Sequence, residues 1–337
     1  MLPDGRKSEK EMRKSGRKIF SLFLILVFLF CLWGCSKRVE NGKTRIAVIT
    51  KSTISSFWKS VYAGVRAASA EYNVNITFDG PETEEDYEKQ NMLVRQAMEE
   101  GVDAIVFSAV DYNASAGVID QAAQQGIKVI VIDSDVNSTR VSCRIGTDNY
   151  EAGGMAGRAA LETDGKELYV GIVNYGINSA NGQQREQGCR NVLGEDTRVR
   201  EISTINVLST IEDAREETRK MLLSNPQMNV VVTFNEWTSL GVGWAIRDLK
   251  LADSVHVVAF DSNVVSVGML ETGEVDALIV QNPYAMGYLG IETAVSLVNG
   301  QTNVPAEIDT ATTIVTKDNM YEPECQKILF PFNESKE

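Results

Sequence analysis

The sequence predicts an α/β protein of two doubly wound parallel-sheet lobes. Three observations lead there. Short, β-branched apolar runs alternate with helical periodicities along nearly all of the chain after residue 43, the pattern of βαβ units with right-handed crossovers. The alternation falls into two consecutive series, each long enough for its own sheet. The chain is 43% hydrophobic, and the roughly 300 residues that follow its N-terminal segment carry more apolar surface than one core usually encloses.

The N-terminal segment fixes the compartment. Arg13–Lys18 is basic, Ile19–Trp33 is almost wholly apolar, and Leu32-Trp33-Gly34-Cys35 closes the stretch. The run is short for a membrane span and fits a signal peptide. A small residue directly before a cysteine at that point resembles a bacterial lipobox. Residues 1–35 are therefore expected to be a lipoprotein signal peptide, with Cys35 as lipid anchor and mature N-terminus. A plain signal sequence with an incidental cysteine is the alternative. Met12 opens a more usual basic n-region than Met1, so either is a possible start. Residues 36–43 form a short polar tether.

The first series opens with a strand over Ile46–Thr50, buried on both faces. Ser55 or Ser56 can cap a helix with apolar positions at Trp58, Val61, Tyr62, Val65 and Ala68. Phe57 and Trp58 thus stand at a helix start beside the carboxyl end of a strand, where open parallel sheets keep their ligands. Trp58 begins the apolar stripe and is as well explained by the core. Phe57 lies off the stripe and is the better platform for the apolar face of a sugar ring. A strand over Val74–Phe78 and a helix over Thr83–Glu100 follow. Next come the strand Ala104–Ser108, a helix over Ala114–Gln125, the strand Val129–Ile132, and Val141–Thr147, polar enough for an edge strand. The acidic run Glu82–Glu88 reads as a solvated helix N-terminus.

The second series has helices over Tyr150–Glu162, Gly182–Leu193 and Ile211–Leu223, and short ones after Glu236 and Asn263. Its strands are Tyr169–Val173, Ile202–Val207, Val230–Phe234, Val257–Phe260 and Ala277–Val280. At the carboxyl ends of the strands in both series stand Lys51, Ser108, Asp133, Thr147, Asn235, Asp261 and Gln281, and Arg185 lies near the start of a second-series helix. Each has a plainer reading: an aspartate or asparagine after a strand is often the next helix's cap, and an arginine is often on the surface. Together they make a set of fixed carboxylate acceptors beside amide and guanidinium donors, which suits adjacent hydroxyls that both donate and accept.

The segments IAVITKSTISSFW, AIVFSAVD, VIVIDSD, IGTDNYEAGGMAG, QQREQG, VVTFNEWTSLG, VVAFDSN and ALIVQNPYAMGYLG occur in order and spacing similar to the ribose-binding protein family. These are sugar-binding, type I periplasmic binding proteins related to LacI-type regulators, and the resemblance covers essentially the whole chain after the tether. It implies two similar lobes joined by a three-strand hinge, with crossings near Asp148, Asn282 and Thr310. The N-terminal lobe would then be 44–148 plus 282–309, and the C-terminal lobe 149–281 plus 310–337. The helix Pro283–Asn299 should return to the first lobe, the strand after Thr312 should rejoin the second, and the tail Asp318–Phe332 should pack across the second. The family's ligand positions fall on Phe57, Trp58, Ser108, Asp133, Thr147, Arg185, Asn235, Asp261 and Gln281.

Departures from the ribose pattern bear on specificity. Ser134 stands after Asp133 where ribose binders have an arginine, Lys51 where a small hydroxyl residue is common, and Ser108 where an asparagine is usual. A serine donates one bond where the arginine offers five, and Lys51 is expected as a mobile cation. Lys51 and Ser134 join the candidate ligand residues, and the expected ligand is a monosaccharide other than ribose.

The remaining features exclude other classes. A net charge of −13 argues against nucleic acid or an anionic membrane surface as partner. With Cys31 and Cys35 in the signal, Cys143, Cys189 and Cys325 remain, as one disulfide plus a spare thiol or as buried free thiols. Gly153-Gly154-x-x-Gly157 is not at the first strand of a unit, so it marks close helix packing and not a dinucleotide fingerprint. Asp133-x-Asp135-x-Asn137 begins like a calcium loop but has Ser138 and Arg144 where glycine and glutamate belong. The single histidine, His256, starts an apolar strand and leaves no triad or metal set. The sequence thus asks for no cofactor, metal or catalysis. It describes an extracytoplasmic, lipid-anchored, monomeric protein that closes on a monosaccharide and delivers it to an ABC permease. The alternative is a sensor subunit that presents the closed form to a histidine kinase or chemoreceptor, and neighbouring genes would separate the two.

Overall fold

A computed structural model describes residues 42–330. Cys31, Cys35, the signal segment around them and residues 331–337 lie outside the described residues.

The first lobe carries the sheet order β11-β5-β4-β3-β1-β2. Its strands are β1 (Arg45–Ile49), β2 (Asn75–Asp79), β3 (Ala104–Phe107), β4 (Lys128–Ile132), β5 (Cys143–Gly146) and β11 (Glu307–Asp309), all parallel. One face packs on α1 (Ser56–Glu71) and α9 (Pro283–Val298) through Val48, Trp58, Val61, Ile132 and Ile291. The other packs on α2 (Tyr87–Glu100) and α3 (Ala116–Gln124) through Ile49, Val94, Ile105 and Phe107. With both faces covered, β3 and most of β1 and β4 are fully buried, hence continuous apolar runs without alternation.

The second lobe repeats the arrangement as β12-β10-β9-β8-β6-β7. Its strands are β6 (Leu168–Tyr175), β7 (Val199–Val207), β8 (Val230–Thr233), β9 (His256–Phe260), β10 (Ala277–Val280) and β12 (Thr313–Thr316). Helices α4 (Asn149–Ala160) and α5 (Ala180–Glu195) cover one face. Helices α6 (Ile211–Ser224), α7 (Glu236–Leu249), α8 (Val264–Thr272) and α10 (Pro323–Leu329) cover the other. The chain passes from one sheet to the other between β5 and α4, between β10 and α9, and between β11 and β12. Thus α9 lies on the first sheet, and α10 buries Cys325 and Leu329 in the second core.

Four sequence expectations are corrected. Val141–Thr147 was expected at a sheet edge, but β11 pairs outside β5. The second sheet is not wholly parallel, because β12 runs antiparallel to β10. The helix after Glu236 is not short and extends to Leu249. The helix expected from Thr83 starts at Tyr87, where the Asp86 side chain accepts from Lys89 N; Glu84 and Glu85 precede it in the loop.

Cys143, Cys189 and Cys325 are free and buried. Close helix packing explains the glycines after the first crossing: a Cβ on Gly153 would lie 2.0 Å from the Arg185 carbonyl oxygen. That proximity seats α5, and Arg185 with it, against α4. Among the described residues no helix is long and apolar enough to cross a membrane.

Candidate functional site

In both sheets the parallel strands point their carboxyl ends at one cleft, and only β12 runs the other way. Lys51, Phe57, Trp58, Asp133, Arg185, Asn235, Asp261 and Gln281 all line it. Ser108 and Thr147 stand one bond behind. The Ser108 hydroxyl donates to Asp133 Oδ2 at 2.9 Å, and the Thr147 hydroxyl to Gln281 Oε1 at 2.9 Å. Ser134 does not reach the cleft lining; it is buried and its carbonyl accepts from Ala109 N.

Arg185 organises the floor. It is 1% exposed, donating from Nε to Asn149 Oδ1 (2.8 Å), from Nη1 to the Phe234 carbonyl (2.6 Å) and from Nη2 to Gln281 Oε1 (2.7 Å). Its guanidinium lies 4.7 Å from the Phe260 ring centroid and 3.9 Å from Asp133 Oδ1. Gln281 Nε2 then donates to Asp261 Oδ1 at 2.6 Å. Arg185 is therefore tied to the Asp261 carboxylate by hydrogen bonds through Gln281 and to the Asp133 carboxylate by the ion pair alone. Burial nevertheless pushes the Asp261 carboxyl up to about 7, against the pull of Arg185 and the Gln281 bond.

Lys51 is not the mobile cation expected from the sequence. It is 2% exposed and crosses between the lobes, donating to Ser179 Oγ at 2.7 Å and Asn181 Oδ1 at 3.1 Å. Its ammonium lies 5.5 Å from the Tyr175 ring centroid. Burial pushes its pKa below the ordinary lysine value, with Asp133 opposing. Asn181 Nδ2 passes the link on to Asp133 Oδ1 at 3.0 Å.

The acidic run also departs from a solvated face. Glu84 lines the cleft. It accepts from the Trp58 indole at 2.9 Å and from Ser209 Oγ, in the other lobe, at 3.0 Å, while Glu85 accepts from Ser209 N at 2.6 Å. Burial raises the Glu84 pKa, with Lys51 opposing. Trp58, 2% exposed, meets Phe57 edge-on with centroids 4.9 Å apart, so the pair is both core and cleft wall.

Asn235 is both a cap and a cleft residue. Its Oδ1 accepts from Thr238 N in a capping box at the start of α7, and its Nδ2 donates to Ser209 Oγ at 2.7 Å. The next residue, Glu236, reaches across the cleft to the first turn of α1, accepting from Ser56 N (3.1 Å) and Phe57 N (2.9 Å). A carboxylate there meets unpaired N–H groups and the positive end of the helix dipole. The space left among all these side chains is about 20 Å³, room for a single water.

Residues 46–302 match the model of the periplasmic binding protein domain. The chain belongs to the periplasmic binding protein family. Among curated relatives of this periplasmic binding protein is the D-ribose/D-allose-binding protein of Pseudomonas aeruginosa, 27% identical over 268 residues, 77% of this chain and 84% of the relative. A carbohydrate transporter solute-binding protein from Agrobacterium radiobacter, solved with D-arabinose, superposes with a TM-score of 0.83 at 29% identity, covering 86% of this chain and 99% of that one. An ABC transporter solute-binding protein from Agrobacterium vitis with bound D-fucose gives 0.81 at 28% identity, over 85% and 99%.

Sequence reasoning missed several cleft residues of this periplasmic binding protein: Glu84, Tyr175, Asn181, Glu236 and Trp237. Tyr175 is the last residue of β6, and Glu236 and Asn181 sit in the first turns of α7 and α5. For all but Glu84 the signal that could have found them is the one used for the other residues, polar and aromatic side chains at or just past a strand end.

Proposed function

We propose that this periplasmic binding protein captures a neutral monosaccharide between its lobes, closes on it, and delivers it to an ABC importer. The observation that carries the reading is the bond chain Ser108–Asp133–Asn181–Lys51 facing Asp261–Gln281–Arg185, bounded by Phe57 and Trp58. Each lobe contributes a carboxylate, Asp133 from the first and Asp261 from the second; the first adds the Lys51 ammonium and the second the Asn181, Gln281 and Arg185 donors, together the complement of a ring of hydroxyls. The ligands named for similar proteins, arabinose and fucose, are small neutral sugars, which supports the class. Because the cleft side chains satisfy one another, a sugar enters as the lobes part about the three crossings. Its hydroxyls then take over bonds such as Asn181–Asp133 and Gln281–Asp261. Contacts to both lobes stabilise the closed form.

Lys51 separates neutral from acidic ligands. Bonded to Ser179 and Asn181 and lying near Asp133, it acts as a bridge between lobes and not as a free counter-ion for a uronic acid. The departures at Lys51, in the cleft, and Ser108, bonded behind Asp133, favour a sugar other than ribose. Cys35, after its apolar run, is the proposed lipid anchor on the outer side of a bacterial membrane; Cys35→Ala should leave the protein unprocessed or released to the medium, and a variant processed and partitioned as the wild type would remove the anchor.

A thermal-shift screen against monosaccharides and related polyols tests the function. A ligand that binds the folded form raises the midpoint with concentration. A flat response to every sugar would remove the reading.

A further inference from the structure

A second cavity, of about 460 Å³, lies on the hinge side of the sugar cleft. Phe57, Asp261 and Gln281 line both spaces and form the partition between them. The cavity walls come from the first turn of α1, the start of α8, the crossing into α9 and the last turn of α10. Its size falls within the ~300–1,000 Å³ of small-molecule sites.

The surface it offers is mostly apolar, with Lys59 and Lys327 also in its lining. Its walls include Val264, Pro283, Tyr284, Leu329 and Phe330 beside Phe57. The amides that also face it are largely committed elsewhere. Asn263 Oδ1 caps α8 and its Nδ2 donates to Glu236, while Asn282 Oδ1 caps α9. Val264 is 78% exposed at the first position of α8, where the fold has no use for a β-branched apolar side chain. These observations distinguish the cavity from the sugar cleft, whose lining is mostly charged or amide.

We propose that the cavity is a subsite for an apolar substituent, so that the protein takes a monosaccharide bearing an aryl or alkyl group as well as the bare sugar. The ring sits among Asp133, Arg185 and Asp261. The substituent leaves it on the Asp261–Gln281 side and passes the Phe57 ring into the cavity. The inference rests on the sugar-binding reading above and adds the chemical class of what the sugar carries.

Calorimetry on the full chain tests it. The best-binding free monosaccharide is compared with its methyl and phenyl glycosides in both anomers, in the wild type and in Val264→Asp and Val264→Trp. Asp at the first turn of a helix is favourable, and free-sugar affinity in each variant reports whether the cleft is intact. One phenyl glycoside is expected to bind at least about tenfold tighter than its methyl counterpart, a difference of ~1.4 kcal/mol. Both variants should erase that gain and leave the free sugar unchanged. Phenyl glycosides of both anomers binding no better than methyl ones would overturn the subsite, and so would a gain that survives both variants. If no sugar binds in any form, it is the sugar-binding reading itself that falls.

Discussion

Asp133 and Asp261 occupy the same place in the two lobes. Each follows the fourth strand of its series, β4 or β9, and each holds a left-handed backbone, with φ of 58° and 67°. Each donates its N–H to a carbonyl of the neighbouring strand, Asp133 to Ile145 and Asp261 to Ile279, at 3.1 and 3.0 Å. That conformation costs a non-glycine residue about 1–2 kcal/mol, and it turns the two carboxylates into the shared cleft. Strain of this kind persists where function uses it.

Asp133→Ala and Asp261→Ala should each weaken sugar binding at least about tenfold, since a lost acceptor strands polar groups at roughly 1–3 kcal/mol. Replacement by glycine removes the same carboxylate but tolerates the backbone. Each glycine variant is therefore expected to unfold at a higher temperature than its alanine counterpart while binding equally poorly. Near-wild-type affinity in both alanine variants would place the ligand elsewhere.

The Asp261 carboxyl, at about 7 because of burial, gives binding and stability opposite pH slopes. A sugar hydroxyl donating to it favours the ionised form, so affinity should rise with pH through about 7 and binding should release a proton below that. The ligand-free fold retains a proton that the unfolded chain has already lost, at an ordinary value of about 3.9. Its stability should therefore fall as pH rises from about 4 to about 7. Calorimetry in buffers of different ionisation enthalpy and thermal midpoints across that range check both. Asp261→Asn should flatten the binding slope and reduce the stability slope, the raised Glu84 carboxyl keeping part of the latter, and flat wild-type profiles would contradict the assignment.

Glu236 is expected to act on closure. Glu236→Gln keeps the shape but loses the charge at the α1 terminus, worth ~0.3–1 kcal/mol, so affinity should fall a few-fold. Glu236→Ala leaves the Ser56 and Phe57 N–H groups without that partner in the closed form, a loss of roughly 1–3 kcal/mol. Water can satisfy them in the open form, so the ligand-free thermal midpoint should barely move. A large drop in that midpoint with unchanged affinity would make Glu236 a fold residue.

The alternation of strands and helices is legible in the sequence because both faces of each sheet are covered, so Val48, Ile105, Val131 and Val258 sit in unbroken apolar runs. What escaped detection depends on contacts distant in sequence. The segment Glu307–Asp309 is three residues with one apolar side chain, Ile308, too short to signal a strand, yet it displaces β5 from the edge. Glu84 sits in a run that matches a helix start, and only packing against Trp58 and Ser209 draws it inward. Lys51 is fixed by Ser179 and Asn181, more than a hundred residues away in the chain, which no local pattern reveals. The aspartates were legible because a strand end already places them, and Arg185 because it lies near the start of a helix.

The most direct test titrates ribose, xylose, galactose, glucose and a uronic acid into the protein at low and high salt. The geometry predicts that a neutral aldose other than ribose binds tightest and that its affinity changes little with salt, because the charges that hold it are buried and paired. A uronic acid as the tightest ligand, weakening as salt rises, would contradict the neutral-sugar cleft, and binding of none of the five would leave it without support.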